Sequence, residues 1–324
     1  MNLLLSPGLR WFRWTCCSLL LSLFPVFVRE PYYITLAINL TITLILTLSL
    51  NFVVGVSGQW SFAHAAFFGM GAYVPGVLAT KLGVDGWFGL PLSIASMMAL
   101  ATVVGMPIVR LSGYYLAVCT LALGFLAEIV VRQAVDLTGG GYGIQQIPPL
   151  VMAGYRLQGG SYYLLAIAAM LISALLLDNL KESTLGRAIV ATRDNAIAAA
   201  ACGINVGRVK LTAFVVAAGL AALAGWVHTF YYLGLNPSLL ASDWTFLWYF
   251  MVFIGGLGSV PGVVIGTVLL TIAPELLGIA TQSQVFAFGV VMLAVALFAP
   301  RGLGGIIADL LRSERVVPAN RSPT

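Results

Sequence analysis

Long apolar runs separated by short polar breaks dominate the pattern of hydrophobic and polar positions along this chain. Most of the runs approach the about 20 residues that an α-helix needs to cross roughly 30 Å of hydrocarbon. The pattern therefore predicts an all-α integral membrane protein with about ten transmembrane helices. The predicted spans are residues 15–28, 32–54, 62–80, 91–109, 113–131, 161–178, 211–234, 245–257, 262–280 and 285–299.

The composition agrees with a chain that lives mainly in lipid. Of its residues, 60% are hydrophobic and 8% are charged, whereas soluble domains carry roughly 25% charged residues. A soluble domain is thereby excluded. We expect one transmembrane domain over residues 15–300, a cytoplasmic N-terminal segment over 1–14 and a cytoplasmic tail over 301–324.

Basic residues are distributed unequally between the two sides of this scheme. One side receives Arg29, Lys81, Arg132 and Arg156. Because Lys and Arg accumulate on the cytoplasmic side of membrane proteins, the richer side predicts that both termini and the 181–210 loop are cytoplasmic. The richer side carries Arg10, Arg13, Arg110, Lys181, Arg187, Arg193, Arg208, Lys210, Arg301, Arg312, Arg315 and Arg321.

Other readings of the basic and apolar residues are less favoured. No basic stripe interleaved with aromatic residues lies outside the predicted spans, so a nucleic-acid surface is not indicated. The first apolar run follows Arg10 and Arg13, as the core of a signal peptide would. No A-x-A cleavage site follows it, and we expect a retained first helix.

Few residues offer catalytic or metal chemistry. The sequence contains no G-x-x-x-x-G-K-[ST] motif, so it carries no P-loop nucleotide site of its own. Its two histidines, His64 and His228, lie in different spans and form no HExxH motif, and its four cysteines have no CxxC spacing. Ser57 or Ser61 could pair with His64, but no acidic residue lies nearby in sequence to orient the imidazole. We therefore predict neither an enzyme nor a metal site.

The 181–210 loop is the internal place where helix signals and clustered charge occur together. Residues 195–202 are dominated by alanine, the strongest helix former, with Asp194 as the expected N-cap and Gly203 as the expected C-cap glycine. A helix this short is marginal alone in water. We therefore predict a cytoplasmic helix that docks in the groove of another protein, and an ordinary surface helix is the alternative. The residues expected to take part are Arg187, Arg193, Asp194, Ala198, Ala199 and Gly203.

Two other features suggest a translocation pathway. Gly58, Gln59, Ser61 and His64 stand where a polar, glycine-containing break leads into a span, which predicts a helix start or a short re-entrant element. A plain cytoplasmic turn is the alternative. Glu128 is an acidic residue late in the fifth predicted span; it either faces the pathway or lies solvated near the outer interface.

Four segments together resemble one family. They are VSGQWSFAHAAFFGMGAY at 56–73, LSGYYLAVCTLALGFLAEIVV followed by TGGGYGI, STLGRAIVATRDNAIAAAACGINVGRVKLTAFVVAAGLAALAG at 183–225, and FIGGLGSVPGVVIGTVLL at 253–270. In the same order, they look like the M-type (LivM-like) permease subunits of branched-chain amino-acid ABC importers. The resemblance runs from about residue 38 to residue 303. Residues 197–203 are similar to the EAA motif of importer permeases, with Ile197 at the position where that motif has Glu.

The resemblance implies a function and a set of partners. Such a permease carries Leu, Ile or Val across the inner membrane together with a second related permease subunit. Two cytoplasmic P-loop ATPase subunits bind ATP and Mg²⁺ and dock on the coupling helices, and a periplasmic substrate-binding protein delivers the cargo. This chain itself would bind no cofactor.

Two alternatives stay open at this point. Permeases for urea or short amides look similar across the same motifs. An ion-coupled secondary transporter would need intramembrane acidic residues beside broken helices, for which the spans offer Glu128 and Glu275.

Overall fold

The structure is a computed structural model that describes residues 30–277, apart from 109, 110, 112 and 153, together with residues 289, 290 and 293. The expected terminal segments 1–14 and 301–324 and the predicted span 15–28 lie outside these residues. So does the predicted span 285–299, except at 289, 290 and 293, and so does the side chain of Glu275.

The described part of the chain is predominantly helical, as expected. The bounds of the longer helices lie within a few residues of the predicted spans that they match. They are α1 Pro31–Asn51, α2 His64–Lys81, α3 Gly86–Ile108, α4 Tyr114–Gln133, a short α5 Val135–Thr138, α6 Gly160–Glu182, α7 Thr184–Asp194, a short α8 Ala196–Ala201, α9 Val206–Tyr232, α10 Ser242–Gly255 and α11 Val260–Leu277.

Within the described residues, five helices are long and apolar enough to cross a membrane, by length and composition. They are α1 with its π-helical extension, α3, α4, α6 and α9. α10, at 14 residues, is shorter than the about 20 residues that a simple span requires. The structure thus confirms a helical chain with several candidate spans.

α9 occupies the centre of the helix assembly. It packs against α2 through small residues, and the two backbones approach so closely that a Cβ on Gly71 would lie 2.5 Å from the Cα atom of Ala222. α3 and α4 lie at the periphery and expose large apolar side chains such as Val103 and Tyr115. Apolar side chains on the outside of a bundle are those that lipid or another membrane subunit can cover.

Two irregular segments enter the bundle from opposite ends. The first joins α1 to α2: a π-helical turn, Phe52–Val56, is followed by a non-helical stretch over residues 57–63. The second joins α9 to α10: Leu235 pairs with Ile144 and contacts Gly76 of α2, and Leu240 contacts Gly69 further along the same helix. The second segment therefore runs inward along α2 before α10 begins, which explains the shortness of α10.

The second end also holds the remaining non-helical elements. A 3₁₀ turn, Gly140–Tyr142, forms from the glycine-rich part of the long predicted loop. β1 Val151–Met152 and β2 Tyr155–Arg156 form a two-stranded antiparallel hairpin with Val151 opposite Arg156. The 181–210 loop lies at the other end of the bundle, beyond the C-terminal end of α6.

Candidate coupling and translocation site

The short helix of the 181–210 loop forms, with its N-cap one residue later than the sequence indicated. Asp194 is the last residue of α7, and Asn195 is the N-cap of α8. Asn195 Oδ1 accepts hydrogen bonds from the backbone N–H groups of Ile197 at 3.1 Å and Ala198 at 3.0 Å. The prediction of Asp194 as the cap is wrong because its carboxylate accepts instead from the guanidinium of Arg193.

The end of α8 matches the sequence-based expectation. Cys202 is the C-cap and Gly203 follows with φ +82°. Ile204 N–H donates to Ala199 O at 3.1 Å and Gly203 N–H donates to Ala200 O at 3.0 Å. This pair of bonds is the Schellman motif, in which glycine takes the left-handed conformation at low cost.

The exposed surface of α8 differs from the one expected. Ile197 is 84% exposed, and Ala198, Ala200 and Ala201 are exposed as well. Ala199 is buried and faces the protein itself. Ile197 is therefore the large apolar side chain that α8 presents outward, beside three exposed alanines.

Arg193 connects this loop to the break after α1. Its Nη1 donates to the backbone carbonyl of Gly55 at 2.7 Å. The aliphatic part of its side chain packs closely against Gly58, since a Cβ atom added to Gly58 would lie 2.6 Å from Arg193 Cγ. Arg187 is exposed like Arg193, but it donates to Glu182 O within its own segment. Arg193 thus reaches the break through its guanidinium while 40% of its side chain stays exposed, and its role in docking stays a prediction.

A second cation makes a parallel contact. Lys181 Nζ donates to the backbone carbonyl of Gly258 at 3.1 Å, in the turn between α10 and α11. The two turns also meet directly, because Gly258 N–H donates to Asn51 Oδ1 at 2.8 Å and a Cβ on Gly55 would lie 2.3 Å from Gly258 N. We call these contacts of Arg193 and Lys181 with the carbonyls of Gly55 and Gly258 the tether.

The break itself is held inside the bundle by polar contacts. Gln59 is buried, and its Nε2 donates to Lys210 O at 3.0 Å and to the hydroxyl of Ser57. Its Oε1 is buried and has no hydrogen-bond partner among the residues that the structure describes. Irregular backbone at membrane depth persists only where protein or a wet cavity satisfies it; these contacts fit a re-entrant element, which stays a prediction.

Three helices supply the remaining partners of the break. Thr120 of α4 accepts from Phe62 N–H at 3.0 Å, and Tyr249 of α10 donates to Ser61 O at 2.9 Å. His64 begins α2 and is buried, with Nε2 at 2.8 Å from the Ser49 hydroxyl of α1. Gly58, Gln59, Ser61 and His64 all belong to this break or to the start of α2, and their place on a translocation pathway stays a prediction.

Glu128 lies apart from this group. It is in the same α4 helix as Thr120 but about 12 Å further along the axis, at 1.5 Å per residue. Its carboxylate accepts from Arg132 at 2.8 Å, an i,i+4 ion pair. The structure thus separates Glu128 from the other four candidate pathway residues and favours the partnered position near the opposite end of the bundle.

The arrangement offers little catalytic chemistry. Ser49 and His64 are hydrogen-bonded, but none of the carboxylates discussed above contacts this pair. Within the described part of the chain, no group of three His, Cys, Asp or Glu residues is placed to hold a metal ion.

Asn51, Gly55 and Gly258 are site residues that the sequence reasoning missed. Asn51 gave a signal, since an amide in the middle of an apolar run needs a buried partner. The glycines gave a weaker one, because their role depends on which two turns meet in space.

Comparisons with known proteins agree on one group. The sequence profile of the family described as "Branched-chain amino acid transport system / permease component" matches residues 32–300. The high-affinity branched-chain amino acid transport system permease protein LivM of Salmonella typhimurium strain LT2 is 29% identical over 313 residues, which are 88% of this chain and 74% of that protein. LivM of Escherichia coli K12 is 31% identical over 288 residues, 81% of this chain and 67% of that protein.

A second kind of permease is also similar. LivH of Escherichia coli K12 is 26% identical over 284 residues, 81% of this chain and 90% of that protein. No solved structure matches this chain.

Proposed function

The chain belongs to the family of permease components of branched-chain amino acid transport systems, and from that premise we propose that it is the transmembrane subunit of an ABC importer. Its cargo would be leucine, isoleucine and valine, carried across the inner membrane. Both termini of the chain would lie in the cytoplasm. The observation that carries the proposal is the match of the family profile over residues 32–300. The curated relatives named above support this cargo over urea or short amides, since each is named for branched-chain amino acids.

Energy would come from other subunits. The sequence has no P-loop motif, so ATP and Mg²⁺ would bind two cytoplasmic ATPase partners and this chain would hold no cofactor. A second related permease would complete the membrane pathway, and the similarity of this chain to both LivM and LivH supports a pair of related subunits. A periplasmic substrate-binding protein would deliver the cargo.

α8 is the proposed contact with the ATPase. Its tip presents Ile197, 84% exposed, on a short helix whose other exposed side chains are alanines. A large apolar side chain such as Ile197, surrounded by small residues, can insert into a groove of a partner. There it excludes water and contributes most of the binding energy.

The tether suggests how movement of α8 would reach the membrane. α7 continues into α8 through Asn195, and Arg193, two residues earlier, contacts the break between α1 and α2. Lys181, at the end of α6, contacts the turn between α10 and α11. A displacement of the loop by the ATPase would therefore move the connection between α1 and α2 and the connection between α10 and α11 at the same time.

Co-purification and uptake test the proposal together. The complex is assembled with its partner permease, ATPase subunits and substrate-binding protein in proteoliposomes, and leucine uptake is measured with and without ATP. We expect ATP-dependent uptake that an ion gradient alone does not support. Uptake driven by a proton or sodium gradient without ATP would point instead to a secondary transporter, and competition by urea would point to the amide permeases.

A variant of the docking helix sharpens the test. Ile197→Asp places a charge at the proposed contact and is expected to reduce recovery of the ATPase subunits with the permease by about tenfold. Leu137→Asp is the matched control, because Leu137 is also an exposed large apolar residue but lies at the opposite end of the bundle. Equal loss of the ATPases in both variants would argue against α8 as the contact.

A further inference from the structure

A cavity of about 280 Å³ lies among α1, α2, α9, α10 and α11, outside the coupling site. Asn39 and Leu46 of α1 line it about 12 and 22 Å along the helix from Pro31, at about 1.5 Å per residue. Counted from Pro31, where the first candidate span begins, these depths correspond to the middle of a hydrocarbon layer roughly 30 Å thick. We call it the midplane cavity.

The walls of the midplane cavity are mainly aliphatic and aromatic. Phe68 and Trp248 lie in an edge-to-face arrangement with ring centroids 5.7 Å apart, and Leu270 contributes an aliphatic surface. Apolar walls with a few polar groups are typical of sites for small molecules. The walls favour a branched aliphatic group over a polar one.

Two polar atoms at the cavity lack partners. His228 Nδ1 and Thr271 Oγ1 are buried, and neither has a hydrogen bond to any of the described residues. A third polar group, the Tyr232 hydroxyl, donates to Asn39 Oδ1 at 2.6 Å. Since buried polar groups in native proteins nearly always have a partner, the two unpaired atoms point to a ligand or water that supplies it.

The size of the cavity sets a limit on that ligand. An apolar cavity of about 150 Å³ accommodates benzene, so the midplane cavity has room for a molecule the size of leucine. Among the described residues that line it, there is no Lys, Arg, Asp or Glu. An amino acid would therefore be held by hydrogen bonds to neutral groups, and the binding would be weak enough for release in either direction.

We propose that the midplane cavity is a transit site for the branched-chain amino acid, and this inference rests on the proposed function. The aliphatic side chain of the cargo packs against Phe68, Trp248 and Leu270. Its polar end hydrogen-bonds with His228 and Thr271. The cavity thereby adds a preference for branched aliphatic cargo inside the permease, beyond any selection made by the substrate-binding protein.

A photoreactive leucine that carries a diazirine in its side chain tests the proposal directly. The full complex in lipid nanodiscs is irradiated with this probe, and the labelled peptides are mapped by mass spectrometry. We expect adducts on residues that line the cavity, removed by an excess of leucine.

Three variants make the result specific. Thr271→Phe fills the cavity and is expected to reduce labelling and leucine uptake by about tenfold. Leu269→Phe is the matched control, since Leu269 is on the same helix but is exposed on the outside of the bundle. Thr271→Val keeps the size of the side chain and removes its hydroxyl, so that a folded protein should bind leucine about fivefold more weakly.

The outcomes separate this proposal from the function on which it rests. Adducts elsewhere in the chain, adducts that leucine does not displace, or labelling unchanged in Thr271→Phe would overturn the transit site while wild-type leucine uptake persists. A wild-type complex that takes up no leucine would overturn the proposed function instead.

Discussion

Arg193 shows how a single side chain can join two parts of the protein that are distant in sequence. The sequence suggested a basic residue beside a docking helix, and the structure adds a hydrogen bond from its guanidinium to Gly55 O. A charged donor to a backbone carbonyl makes a stronger hydrogen bond than a neutral one. Arg193 therefore positions the break, and its part in the docking surface stays a prediction.

Replacement of Arg193 should weaken coupling before it weakens assembly. In Arg193→Gln the contact with Gly55 is lost at a cost of about 1 kcal/mol, since much of the side chain is exposed. We expect ATP hydrolysis to continue while leucine uptake per ATP falls. Arg187→Gln is the control, because Arg187 contacts its own segment. An unchanged ratio of uptake to hydrolysis in Arg193→Gln would contradict the tether.

Gly55 tests the direct contact between the two turns. A methyl group there would lie 2.3 Å from Gly258 N and 2.5 Å from Asn51 Oδ1, and both are difficult to move. Gly55→Ala should therefore destabilise the protein by about 1 to 3 kcal/mol, measured as a lower Tm of the purified complex.

Gly207→Ala provides the comparison for that measurement. Gly207 lies in the first turn of α9, and a methyl group there meets Asn205 Oδ1 at an ordinary 3.7 Å. Alanine is also the better helix former. A Tm lowered equally by both substitutions would show that the effect does not come from the contact of Gly55 with Gly258.

At the scale of elements, the sequence predicted that α8 forms and where it ends, but not its N-cap residue or its buried face. Alanine content and Gly203 predicted its existence and its end, because both signals are local. The cap was misplaced by one residue because Asp194 and Asn195 are both good caps, and the choice depends on the position of Arg193 in space. The burial of Ala199 could not be predicted either, since it depends on which face of the helix meets the rest of the protein.

The rigidity of α8 can be tested with proline. Ala200 is exposed, so Ala200→Pro leaves the packing of the loop largely intact but removes one backbone donor and clashes with the preceding turn, at a cost of about 3 kcal/mol. We expect leucine uptake to be lost while the permease still reaches the membrane. Ala200→Ser, a small change at the same site, should retain most uptake. Normal uptake by Ala200→Pro would exclude α8 as a lever.

The sequence marked one of the two irregular segments of the bundle and missed the other. The polar residues Gln59, Ser61 and His64 marked the first break, because such side chains are costly in lipid unless they are partnered. The second irregular segment, between α9 and α10, carried no comparable signal. The sequence pattern predicted the helix that follows it, α10, as a full span. Its path along α2 depends on small residues that make room for Leu235 and Leu240, and that contact is visible only in three dimensions.

At the scale of the whole molecule, the described helices alternate in direction, so the 181–210 loop and the β1–β2 hairpin lie at opposite ends. This alternation was predictable, since hydropathy gives the spans and loop charge gives the direction. The number of complete spans was less predictable because re-entrant segments and short helices have the same composition as spans.

Thiol labelling tests the orientation in the membrane. In a variant with Cys202 as its single cysteine, an impermeant maleimide should react in inverted vesicles and not in intact cells, because Cys202 is exposed in the proposed cytoplasmic loop. Tyr155→Cys in a background without other cysteines should show the reverse pattern, since Tyr155 is 80% exposed at the opposite end. The reverse result for both sites would invert the proposed topology.

The acceptors of the tether have a consequence for how the importer responds to its surroundings. Arg193 and Lys181 donate to backbone carbonyls of Gly55 and Gly258, and a peptide carbonyl does not titrate in water. A linkage built on carboxylates would loosen in acid, and one built on histidine would change between about pH 5 and 8. The two contacts with the carbonyls of Gly55 and Gly258 therefore need no ionised acceptor, unlike the ion pair that Arg193 makes with the carboxylate of Asp194.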